Sequence, residues 1–189
     1  MRNPLQTPWR VASSAFLILS LCLPVSAASP EDHPAVPAIL DRAESLFQSM
    51  KSRDYPAIFA ALSAKSRETI VAETSSAMAV AAAQAPPGKP SSADTTPALP
   101  KDPAPGPEAV RRDFVAGGPI ARDYWDAFLR RFDPNLALEH SRWEIGSVEK
   151  DRAEILLTHH GADHPATLKM FREDGGWKVG LAETFWKSR

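Results

Sequence analysis

Cysteine is almost absent. The 189 residues hold one, Cys22, so no network of disulfides can stabilise the fold and the core must carry the stability. An excess of one charge is also lacking, with 22 Lys+Arg against 23 Asp+Glu and a net charge of −1 at pH 7. No block of basic residues interrupts that balance. A nucleic-acid partner is therefore not expected, because such a partner normally demands a concentrated positive face. Serine-nucleophile elbows, glycine-rich phosphate loops and dinucleotide fingerprints are missing too. No catalytic residue, metal site or cofactor is assigned. The only cluster of metal-ligand types is His159-His160 with Asp163 and His164. Adjacent strand residues point to opposite faces and the spacing fits no zinc pattern, so it reads as a solvated loop.

What is present begins with a leader. Arg2 and Arg10 precede an uncharged apolar run, Ala15 to Leu23, and Val25-Ser26-Ala27 is a small-x-small cleavage site. Residues 1–27 read as a secretory signal, which predicts export to the periplasm or the exterior. Two rivals remain open. Val11 to Ala28 is uncharged and sits at the short edge of a membrane span, about 17–25 residues, and Cys22 is a candidate for lipidation. Cleavage after Ala27 removes the cysteine and leaves no stable membrane span.

Residues 28–37 form a linker, and one domain is expected over residues 38–186. Ala38 to Asp54 carries Ile39, Leu40, Ala43, Leu46, Phe47 and Met50 within about a 120° arc, an amphipathic helix. Asp54 is a natural N-cap, and Pro56 suits the first turn of a second helix. That helix carries Ile58, Phe59 and Leu62, then Ile70 and Val71, and an alanine-rich tail extends it to Gln84. Residues 85–108 change character. They are crowded with proline, with Gly, Ser, Thr and Asp between, a composition that predicts a disordered insert within the domain. A third, aromatic helix runs from Ile120 to Phe132 until Asp133-Pro134 stops it. The sheet's apolar face is its expected partner, with Phe128 facing Trp177.

Four strands follow: Arg142–Glu149, Arg152–His160, Ala166–Glu173 and Trp177–Phe185. Asp174-Gly175 and Gly175-Gly176 are both suited to a two-residue hairpin loop, and the choice between them stays open. Either loop puts Leu168, Met170, Trp177, Val179 and Leu181 on one face, with Glu183 at its rim, and Lys169, Phe171 and Lys178 on the other. For the first pair, a Lys150-Asp151 turn puts Val148, Gly146, Ala153, Ile155 and Leu157 on one face. Trp143, Ile145, Leu156 and Thr158 fall on the other, so this pair is expected to be covered on both sides. The fold class is α+β: three N-terminal helices packed on a curved four-stranded antiparallel sheet.

Three stretches carry a resemblance: MKSRDYPAIFAALSAKSRETI, YWDAFLRRF and ATLKMFREDGGWKVGLAETF. With Asp54, Tyr55, Ser63 and Arg67 in the first and Phe171 to Val179 in the last, the chain resembles small exported members of the nuclear transport factor 2-like superfamily. That superfamily includes ketosteroid isomerases, polyketide cyclases and many non-enzymatic modules. The resemblance implies a cone-like sheet around a helix, often with an apolar pocket. It implies no single function. The Pro-rich insert stands where many catalytic members carry a strand pair. The expected function is therefore an exported, non-catalytic domain binding a small apolar ligand or an envelope protein. A pocket enzyme of the isomerase or dehydratase type is the alternative, and pairing of two copies through the sheet is left open. Pocket candidates are Tyr55, Phe59, Tyr124, Phe128, Trp143, Met170, Trp177 and Glu183, the last a conceivable general base.

Overall fold

The structure, a computed structural model, describes residues 30–84 and 104–186. The leader and residues 85–103 of the insert lie outside the described residues. Within these limits the chain is α+β, with seven helices and one antiparallel sheet in the order β1-β2-β3-β4.

The first helix begins two residues earlier than expected, inside the expected linker, whose residues 28 and 29 lie outside the described residues. Pro30–Asp32 forms a single 3-10 turn, and the first helix, α1 (Val36–Ser52), begins with Pro37 in its opening turn. Its buried stripe is Val36, Ile39, Ala43, Leu46, Phe47 and Met50. Arg53 ends it in the left-handed region at φ 57°, and the Asp54 amide donates back to Ser49 O at 2.9 Å. Asp54 then caps α2 (Tyr55–Ala61), accepting from the Ala57 amide at 3.1 Å.

The expected long second helix is two. Leu62 turns extended, bridges Val179 in parallel, and the Ser63 amide donates to Val179 O at 2.9 Å. This bridge covers part of the free edge of β4. Ser63 then starts α3 (Ala64–Gln84), its hydroxyl accepting from the Ser66 amide at 3.0 Å. An N-cap inside an apolar period splits the helix because the side chain satisfies a donor that continued helix would have to satisfy. In α3 only Ser66, Ile70 and Val71 are buried, and the alanine-rich half beyond them is largely exposed.

Three helices were not foreseen. α4 (Pro107–Ala116) takes Pro107 and Glu108 from the expected insert and buries Val110 and Phe114. The aromatic helix is α5 (Pro119–Leu129), three residues shorter at its end than expected, and α6 (Pro134–Leu138) follows with Asp133 as its cap. The helix against β4 is α1, while α5 packs on α4 and α2. The expectation that α5 covers the sheet is thus corrected. Phe128 is half-buried beside Trp125 and Phe132, with centroids at 5.7 and 5.5 Å, so it does not face Trp177.

The strands are β1 (Ser141–Val148), β2 (Arg152–His159), β3 (Ala166–Glu173) and β4 (Gly176–Gly180). Asp174-Gly175 is the turn, with φ of 50° and 78°, the double positive φ of a tight hairpin. Arg172 pairs with Trp177 and Met170 with Val179, as the turn dictates. β4 is shorter than expected. It stops at Gly180, whose missing Cβ leaves room for the Phe171 ring, and the chain folds into α7 (Leu181–Phe185). Leu181 and Ala182 are buried there, and the Lys169 amide left by the lost strand donates to Thr184 Oγ1 at 3.0 Å.

The first hairpin departs from its expected faces. The Glu149 amide bonds Arg152 O at 2.7 Å, so the Lys150-Asp151 turn forms. A bulge at Gly146 then shifts the register: Ile145 faces Ile155 and Trp143 faces Leu157. Trp143 and Ile145 thereby join Ala153, Ile155 and Leu157 on the core face. A one-residue shift moves every side chain beyond it to the opposite face. Leu156 is left as the bulky apolar group of the outer face of β2. The core that results is one cluster through α1, α2, α4, α5 and the sheet's inner face.

Candidate functional site

The eight pocket candidates do not converge. Phe59 and Trp177 are core, 3% and 7% exposed. Phe59 packs on Phe114 with centroids at 5.2 Å, and Trp143 meets Phe47 edge-on at 5.7 Å while donating Nε1–H to Ala137 O at 2.7 Å. Tyr55 donates its hydroxyl to Asp126 Oδ1 at 2.8 Å, and Arg53 sits on the same carboxylate at 3.1 Å. Burial, then the Asp126 charge, raises the Tyr55 pKa. The expected shared apolar pocket is therefore not formed by these residues. The inner face of the sheet, where a cone would open, is filled by Ile155, Leu168, Met170 and Val179, all fully buried.

Open grooves are found among the described residues instead, and two of them gather candidate residues. The larger, about 1430 Å³, runs between α3, α7 and the β2–β3 pair. Phe171, Phe185 and Trp186 supply its aromatic surface. Lys65, Arg152 and Lys169 line it together with Glu73, Glu154 and Glu173, so charges of both signs accompany the aromatic groups. Two of the eight candidates border it, Glu183 and Met170, the latter with its side chain turned to the core.

Glu183 does not stand on a strand, as expected, but on α7. Its carboxylate accepts from Ser63 Oγ at 2.8 Å and from Ser66 Oγ at 2.5 Å. The Ser66 hydroxyl in turn accepts from the Ala182 amide at 2.9 Å. Glu173 approaches the same helix end from β3, accepting the Ala64 amide at 2.8 Å, with Arg67 at 3.9 Å. Two carboxylates thus clasp the N-terminus of α3, where the helix dipole and unpaired amides favour negative charge. Both serine hydroxyls are spent on this clasp, and their donors point to Glu183. The arrangement anchors α7 to the N-terminus of α3. Lys178 closes the other side of the break, donating to Ala60 O at 2.7 Å. Burial, and then the Arg42 and Arg67 charges, lowers its pKa.

The smaller groove, about 530 Å³, lies along the end of α5. Tyr124, Phe128 and Phe132 form its wall with Phe185 opposite, Ala127 lies between, and Arg130 and Arg131 supply its charge. It gathers Tyr124 and Phe128, the second pair of candidates. Desolvation, and then the Glu73 charge, raises the Tyr124 pKa, so its phenol stays neutral at ordinary pH.

Sequence reasoning missed Lys65, Lys169, Phe171, Arg130, Arg131, Phe185 and Trp186 as groove residues. The available signal was Phe171, one aromatic among the polar residues of the outer face. Among the described residues no three metal-ligating side chains come together, and no helix is long and apolar enough to cross a membrane. His159 holds His140 O at 3.0 Å through Nδ1. Comparison with protein-family models, with curated proteins and with solved structures finds no match to this chain.

Proposed function

We propose that the mature chain is an exported, non-catalytic binding module with the cone-like plan of the nuclear transport factor 2-like superfamily, and that its larger groove takes a polypeptide partner in the cell envelope. The fold reading is supported by the order of elements, helices first and then four consecutive antiparallel strands. It is also supported by the roles of the motif residues: Ser63 caps α3, Arg67 approaches Glu173, and Lys178 ties the final hairpin to α2. The export reading is supported by the leader pattern of residues 1–27.

The observation that carries the binding reading is the size and lining of the groove. At about 1430 Å³ it exceeds the roughly 300–1,000 Å³ of small-molecule pockets, and it is open to solvent. Cations and carboxylates beside partly exposed aromatic rings match a chain of mixed polarity better than a small apolar ligand. The isomerase reading has no such support. The tyrosine–carboxylate hydrogen bond of the described residues, Tyr55 with Asp126, lines neither groove.

A photo-crosslinking residue at Thr69, inside the groove, tests the proposal in the native host. A discrete adduct with one polypeptide is expected from Thr69 and not from the exposed Lys150. Charge reversal at Lys65 and Lys169 should remove it. Equal adducts from both positions, or none from exported protein, would sink the reading. Intact mass of the same exported protein should place its first residue near Ala28.

A further inference from the structure

The smaller groove differs in chemistry from the larger one. Its walls are the ring surfaces of Tyr124, Phe128, Phe132 and Phe185, and its only charges are Arg130 and Arg131. No carboxylate lines it. Among the described residues neither arginine makes an ion pair. Three acids of the region have other partners: Asp126 holds Arg53 and Tyr55, Asp133 the Asn135 amide, and Glu73 the Trp186 indole. Cations near a helix C-terminus complement its dipole, which accounts for the arginines but not for an aromatic trough beside them.

The trough is pre-formed. Phe128 and Phe132 lie at 5.5 Å, and Phe132 stacks on the buried Phe47 at 5.8 Å. Tyr124 stands edge-on to fully buried Trp125 at 5.1 Å. Rings held this way lose little freedom when a ligand covers them. Phe185, 44% exposed, leaves apolar surface in water on the other side. A ligand suited to this lining has an apolar body for the rings and one anionic group for the arginines, whose planar forks match a carboxylate. The volume of about 530 Å³ lies within the small-molecule range of roughly 300–1,000 Å³.

We propose that the groove formed by Tyr124, Phe128, Phe132 and Phe185 is a binding site for a free single-chain alkyl carboxylate, with Arg130 and Arg131 holding the carboxylate. The neutral Tyr124 phenol adds a donor that does not repel the anion. The site shares Phe185 with the larger groove but takes a ligand of different chemistry, and its test does not depend on that groove's partner.

The test is calorimetric titration of the mature protein with dodecanoate below its micellar concentration. One saturable site is expected. Dodecyltrimethylammonium, equal in chain and opposite in charge, should bind at least about tenfold more weakly, the scale of a lost charge-assisted bond. The double change Arg130→Gln and Arg131→Gln should weaken dodecanoate by a similar factor and lower the melting temperature by no more than about 4 °C, the scale of a lost dipole contact. Ala127→Trp, at an exposed helix position, should block the groove and abolish binding. Absence of a saturable site overturns the proposal. So does equal affinity for both detergents, or full binding by the Ala127→Trp protein. Cosedimentation with phosphatidylglycerol vesicles without binding of monomeric dodecanoate would also overturn it, and would mark a membrane-surface patch instead.

Discussion

The two hairpins of the sheet have turns of the same length and different consequences. At Asp174-Gly175 the turn fixes the register, and every pair down to Lys169–Gly180 follows from it. At Lys150-Asp151 the turn also forms, but its register survives for only two pairs, Val148–Ala153 and Ser147–Glu154. Gly146 then inserts an extra residue and turns Trp143 and Ile145 inward. Turn chemistry is local and acts only until packing offers more. Here packing offers the contact of Trp143 with Phe47 and the indole bond to Ala137 O. A bulge costs part of a ladder, while burying bulky side chains gains about 1.5–3 kcal/mol each when complete.

The largest effect separates the two tryptophans. Trp177 is 7% exposed and central to the second hairpin's inner face, so Trp177→Ala should cost about 3–5 kcal/mol. Trp143 is half-buried. Its edge contact is worth about 0.5–1.5 kcal/mol and its hydrogen bond a similar amount, so Trp143→Ala should cost about 1–3 kcal/mol. Denaturant melts of both variants make the comparison. Equal losses would mean that the bulge is held by Trp143 as firmly as the second hairpin is held by its core.

The same contrast explains what was legible in the sequence. α1, the α2 cap at Asp54 and the second hairpin were readable because each rests on signals within a few residues: a stripe, a cap, a turn. α4, α6 and α7 were not. α4 buries two side chains, Val110 and Phe114, and α6 and α7 have five residues each, too short for a period to show. The split between α2 and α3 depends on Val179, more than a hundred residues away, which pairs with Leu62. The grooves depend on such distant partners throughout. Lys65, Arg152 and Phe185 share a groove, and nothing in their local sequence says so. The candidate list found aromatic residues and assigned them to one pocket, whereas the fold spent Phe59 and Trp177 on the core.

A middle-sized effect tests how far the second turn alone governs its hairpin. Gly175 has φ of 78°, and a Cβ placed there would meet nothing within 4 Å. The cost of Gly175→Val is therefore backbone strain without a clash, about 1–2 kcal/mol for a residue forced into the left-handed region. Thermal melts read it. A loss as large as that of Trp177→Ala would show that the whole hairpin is released when the turn is strained. A negligible loss would show that the core holds the register without help from the turn.

The smallest effect belongs to the bulge itself. Deleting Gly146 joins Ile145, paired with Ile155, directly to Ser147, paired with Glu154. The two halves of β1 are already in register with β2 on either side, so the deletion makes the ladder continuous. Trp143 and Ile145 keep the inner face, Ser147 the outer, and Val148 the inner. What is lost is the local bend and twist that a bulge imposes. The expected cost is under about 1 kcal/mol, the range of changes that break no named packing or bonding feature. Melting temperature and the near-ultraviolet tryptophan signal check it together. A deletion that unfolds the protein would mean that the bend, and not the inward placement of Trp143, is what the fold requires of Gly146. In that case the curvature of the sheet is set in the first hairpin, and the cone-like plan gains support from the one place where the expected register failed.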